Sequence, residues 1–116
     1  NNYSPAVSGL LRAVQTRIKD SFPALVEELD APSRIILYRL APGMKGVVFT
    51  LIPSLRGVKL GFYRGRELND PSRLLEGSGK VHATIKMNPK VLASPELQQL
   101  LESAIKAAYL RNPTIE

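Results

Sequence analysis

Residues 58–86 read VKLGFYRGRELNDPSRLLEGSGKVHATIK. Glycines and a proline cut this stretch into strand, long connection and strand. Val58, Leu60 and Phe62 alternate with Lys59, Gly61 and Tyr63, the pattern of a strand with one buried face. Val81, Ala83, Ile85 and Met87 alternate in the same way with His82, Thr84 and Lys86. Between them, Asp70-Pro71 marks a turn or helix start, and residues 72–76 have room for about one helical turn. Gly77 and Gly79 can supply positive φ. The segment therefore reads as architecture: two neighbouring ribbons of one sheet, joined by a loop from 65 to 79.

Working outward, Val7, Leu11, Val14 and Ile18 recur at helical spacing and Leu10 widens the stripe. They predict an amphipathic helix over about residues 5–19, capped by Ser4 with Pro5 in its first turn. Ser21 and Pro23 open a second short helical segment over 24–29, where Glu27, Glu28 and Asp30 form the one dense acidic group. Residues 34–40 are rich in β-branched and aromatic side chains, as are 47–52, and Pro/Gly turns at 41–46 and 53–57 separate the strands. Pro89 stops the last strand. Ser94-Pro95-Glu96 starts a final helix whose apolar stripe is Leu97, Leu100, Leu101, Ala104, Ile105 and Ala108, and Asn112-Pro113 ends it. The expected fold is α+β: an antiparallel sheet of four or five strands, with N- and C-terminal helices packed on one face, in a single domain over 1–116.

A chain of 116 residues fits one domain, and its 44% apolar content suffices for one core without staples. The absence of cysteine excludes disulfides, thiolate zinc sites and a cysteine nucleophile. No signal-peptide core or long apolar span stands in the sequence, so a cytoplasmic location and no membrane partner are expected. Sixteen Lys and Arg against ten Asp and Glu give a net charge of +6, which favours anionic partners. The bases are scattered along the chain, which argues against a dedicated nucleic-acid surface.

Gly77-Ser78-Gly79-Lys80 invites comparison with a phosphate-binding loop, but Leu74 stands where that motif needs glycine and Val81 where it needs Ser or Thr. The loop also leads into a strand instead of a helix N-terminus. Its exposed backbone N–H groups beside Lys80 could still hold a small anion. His82 is the single histidine, it falls on the solvent side of its strand, and Ser78 has no elbow motif to make a nucleophile. Glu27 and Glu28 are adjacent and diverge on a helix, so they make a poor oxygen site for a hard cation. No catalytic residue, metal site or cofactor is expected. Arg64, Arg66 and Arg73 stand among Glu67, Asp70 and Glu76 around the long loop. Some of these should pair, and Arg64, with a partly buried stem, has Glu76 or an external carboxylate or phosphate as partner. Tyr38, Phe49 and Tyr63 could line an apolar pocket beside it or serve as ordinary packing. The candidate anion or partner site is Arg64, Arg73, Gly77, Ser78, Gly79 and Lys80.

LGFYRG at 60–65, LNDP at 68–71, LLEGSGK at 74–80 and IK at 85–86 together resemble the YdhG-like family of domains of unknown function. The order and spacing fit across 58–86, and the flanking helices extend the likeness to most of the chain. The resemblance implies a small α+β, frataxin-like sandwich, mostly bacterial and without assigned activity, with one branch described as an iron chaperone. Ala83-Thr84 stands where members often carry Arg-His, and the Trp-Gly-x-Pro element is missing, so no ligand role carries over to these positions. The resulting expectation is a non-enzymatic binding or interaction module for a small anion or acidic partner. The alternative is an iron chaperone using Glu27, Glu28, Asp30 or loop carboxylates. A homodimer formed by pairing of strand edges is a further expectation.

Overall fold

The computed structural model describes residues 3–77 and 82–113. The elements run α1 (Pro5–Ser21), β1 (Val26–Asp30), β2 (Ile35–Arg39), β3 (Val47–Pro53), β4 (Val58–Tyr63), β5 (His82–Lys86), a short α2 (Pro89–Leu92) and α3 (Pro95–Arg111). Among the described residues the five strands form one antiparallel sheet in the order β1-β2-β3-β4-β5. Every connection inside the sheet is thus between spatial neighbours, and the expected α+β meander is what forms.

Two local expectations give way. Residues 24–29 do not make a second helix. Val26–Asp30 is a strand, registered against β2 from Val26↔Arg39 to Asp30↔Ile35. The hairpin loop 31–34 closes with Arg34 N–H donating to Asp30 O at 2.8 Å, and Arg34 takes the left-handed conformation at φ 59°. The acidic residues earn no helical neighbours there, whereas across the strands Glu28 meets Arg39 at 2.8 Å and Glu27 meets Tyr38 at 2.6 Å. Cross-strand partners of this kind override a weak local preference. Residues 72–76 make no helical turn either. Asp70 accepts the N–H groups of Leu74 and Leu75 at 3.0 and 2.9 Å, and Glu76 then pairs with Thr84 on the far edge of β5. The carboxylate folds the chain back in place of helical bonds.

Both long helices are delimited as their cap residues dictate. Ser4 and Ser94 accept from Val7 N–H and Leu97 N–H, with proline in the first turn of each. Pro89 does end the strand run, and it also opens α2, capped by Asn88.

Strand periodicity sorts the sheet into two faces. Tyr38, Phe49, Phe62 and Ala83 stand opposite one another across four strands, as do Ile36, Leu51, Leu60 and Ile85. These rows form the core with Val14 and Ile18 of α1 and Leu97, Leu101 and Ala108 of α3. Phe49 and Phe62 meet edge to face at 5.4 Å between centroids. Fully burying each such side chain is worth about 1.5–3 kcal/mol. Arg17 ties the helical layer together: its guanidinium donates to Gln98 Oε1 at 3.1 and 2.9 Å and to the carbonyl of Leu92. The other face carries Glu28, Leu37, Thr50, Gly61 and Thr84 in one cross-strand row. A Cβ on Gly61 would stand 2.2 Å from Thr50 Oγ1, so any larger residue there has to displace the Thr50 side chain.

Candidate anion-binding site

The loop singled out by sequence is held mainly by its own charges. Arg64 is exposed, not partly buried, and sits in the left-handed region at φ 53°. Its guanidinium donates Nε–H to Glu67 Oε2 at 2.7 Å, and Glu67, not Glu76, is its carboxylate. That pairing raises the Arg64 pKa and holds the Glu67 carboxyl below its ordinary value, each chiefly through the side-chain hydrogen bond. Asp70 is spent on two backbone amides. Arg73 is exposed, also left-handed at φ 53°, and Gly77 has φ 105°, the positive value its residue type suits. Gly65, Arg66, Leu68, Asp70, Leu75, Gly77 and Ala83 line a small cleft of about 180 Å³ under this loop. Ser78, Gly79 and Lys80 lie outside the described residues. Tyr38 and Phe49 are core residues, while Tyr63 is half-buried beneath the Arg111 guanidinium, 4.7 Å from its ring centroid.

A second concentration of positive charge lies at the other end of β4 and β5. Ser54, Arg56, Gly57, Val58, Lys59, Lys86 and Met87 line a cleft of about 450 Å³. Arg56 comes from the β3–β4 turn, where Ser54 N–H donates to Gly57 O at 2.8 Å. Lys59 and Lys86 are register partners. Met87 N–H donates to Val58 O, and Thr84 exchanges both its backbone bonds with Glu76 at 2.7 and 3.0 Å. So residues 83, 85 and 87 bond β4, while 82, 84 and 86 turn their backbone groups to the opposite edge. Lys59 and Lys86 therefore form a non-hydrogen-bonded antiparallel pair, the closer of the two kinds, with Cα atoms about 4.5 Å apart. Both side chains are exposed on the helix-free face.

Among the described residues, Arg56, Lys59 and Lys86 have no ion-pair partner, and no carboxylate lines the cleft. Like charges directly opposite on a sheet are unfavourable, by a fraction of a kcal/mol to about 1 kcal/mol. An anion seated between them removes that repulsion. Sequence reading passed over these residues because alternation assigns a face but not a partner. The usable signal is two strands that each end their solvent-side set in lysine, at 59 and 86.

The acidic group is already engaged. Glu27 accepts from the Tyr38 hydroxyl at 2.6 Å, from Lys19 Nζ at 3.2 Å and from Gln15 Nε2 at 3.3 Å. Partial burial pushes the Glu27 pKa up, but these donors outweigh it and leave the carboxyl below its ordinary value. Burial, then the Glu27 carboxylate, raises the Tyr38 pKa, so its hydroxyl stays protonated as a donor. Glu28 is held by Arg39, and Asp30 accepts from Ser33 Oγ. Among the described residues no three His, Asp or Glu side chains converge in a way that could hold a metal ion. His82 is exposed and packs against Tyr63 with ring centroids 5.9 Å apart.

No family model, curated protein or solved structure matches the chain. Among the described residues, no helix is long and apolar enough to cross a membrane.

Proposed function

We propose that this domain is a non-enzymatic binding module for a small anion or an acidic partner, with the cleft of Arg56, Lys59 and Lys86 as its principal site. One observation carries the reading: two lysines face each other at the closest kind of cross-strand position, beside an arginine, with no carboxylate lining the cleft. The net charge of +6 draws anions toward it. Arg73 and residues 77–80 remain a secondary candidate, whereas Arg64 is already neutralised by Glu67. Kinship with the YdhG-like family belongs to the same proposal; its support is the motif over 58–86 together with the helix–sheet–helix order that the resemblance implies.

Titration calorimetry with citrate and inorganic phosphate tests the site. Binding is expected for the parent chain and lost in the double variant K59A/K86A, while R64A binds as the parent does. Equal binding by K59A/K86A and loss in R64A would move the site to the loop. Absence of any binding to the parent would remove the small-anion reading.

A further inference from the structure

The helix-free face of the sheet is polarised. Its β1 edge carries Asp30 and Glu28, the latter ion-paired with Arg39, and its β4–β5 side carries Lys59 and Lys86, with Glu76 bridged to Thr84 beside them. Between these ends lie Leu37, Ile35 and Ile52, half-buried apolar side chains with no helix over them. The levels also match. Asp30 pairs with Ile35, one residue beyond the Ile36↔Leu51 pair, and Ile52 pairs with Lys59, which pairs with Lys86. Asp30 and Lys86 thus occupy opposite edges of the sheet at the same level along the strands.

We propose that the acidic partner of the lysine cleft is a second copy of this chain, docked sheet face to sheet face. The proposal rests on the cleft being an anion site. A twofold axis running along the strands turns the second sheet over and carries its β1 across to the first sheet's β5. Asp30 of the second copy then stands over Lys86, and the apolar middle of each sheet covers the other. The contact is isologous, so both ends are satisfied at once. Aligned packing of two sheets about 10 Å apart is a common arrangement.

Size sets the strength. Five strands at about 4.8 Å spacing and five residues at about 3.3 Å give roughly 400 Å² of flat area per copy. That falls in the small, transient class of interface. Charge complementarity therefore has to supply the orientation, and the dimer should be sensitive to salt.

Sedimentation of the full chain tests this with two charge-reversed variants, E28K/D30K and K59E/K86E, each checked for an unchanged circular-dichroism spectrum. The parent is expected to be a reversible dimer at low salt that dissociates as salt or citrate is added. Each variant alone is expected to be monomeric, because like charges then meet at both ends. An equimolar mixture of the two is expected to recover the dimer, since every contact is again between opposite charges. Three outcomes overturn the proposal: a parent that is monomeric at all concentrations, variants that dimerise alone, or a mixture that stays monomeric. Citrate binding by a strictly monomeric parent removes the dimer and leaves the anion site standing. A monomeric parent that binds neither citrate nor phosphate removes both.

Discussion

The loop over residues 64–77 and the cleft at Arg56, Lys59 and Lys86 each gather three cations, with opposite results. The loop contains as many carboxylates as guanidiniums, and they answer one another or the backbone: Arg64 with Glu67, Asp70 with two amides. Its conspicuous sequence serves a fold-back that lays Glu76 against Thr84. The cleft is inconspicuous in sequence, yet it is where pairing of strands leaves positive charge unanswered. Charge density along a chain is therefore a poor guide to charge available for a ligand. What counts is which opposite charges the fold brings within reach.

Substitutions can break this contrast, beginning with the largest effect. Asp70→Ala strips the acceptor from two backbone amides and should cost about 1.5–3 kcal/mol in chemical denaturation, as expected for hydrogen bonds to a charged group. Citrate binding by the folded fraction should be unchanged. Lost binding at full stability would assign the loop a ligand role instead. Gly61→Ala should cost about 1–3 kcal/mol by crowding Thr50, and adding Thr50→Ala should recover much of it. Lys86→Glu has the more telling outcome. It should stabilise the fold by about 0.2–1 kcal/mol, by replacing a like-charge pair with an opposite one, while citrate affinity falls. A stability loss would mean that the two lysines are not in contact. The smallest effect is expected from Arg64→Ala, a barely measurable change in stability, as for a fully exposed ion pair, and no change in binding.

Acid titration probes the acidic strand. The folded-state pKa of Glu27 lies below its ordinary value, so its contribution to stability is present above the unfolded carboxylate range and is lost as pH falls through the folded value. Glu27→Gln should flatten that acid limb, and Tyr38→Phe should reduce it. An unchanged limb in both variants would place the acid sensitivity elsewhere.

Periodicity made most of the fold legible. Val58, Leu60 and Phe62, then Ala83, Ile85 and Met87, mark buried faces that the structure reproduces, and Ser4, Pro5, Ser94 and Pro95 locate both long helices. The strand at Val26–Asp30 was hidden, because a five-residue edge strand needs little apolar alternation and its stability comes from Tyr38, Arg39 and Lys19, which lie elsewhere in the chain. The same limit applied to the site. Arg64 was expected to be partly buried with Glu76 as a candidate partner, yet the 3₁₀ turn at Gly65–Glu67 delivers Glu67 first. Lys59 and Lys86 were each assigned the correct face, but only the register between β4 and β5 makes them neighbours.

Arg17 has a consequence for how the chain acquires its shape during synthesis. Its hydrogen-bond partners lie 75 and 81 residues further on. The first helix therefore leaves the ribosome long before the residues that lock it have been made. A chain halted before Gln98 lacks that lock as well as most of the last helix, so its first helix is left without its most distant tether.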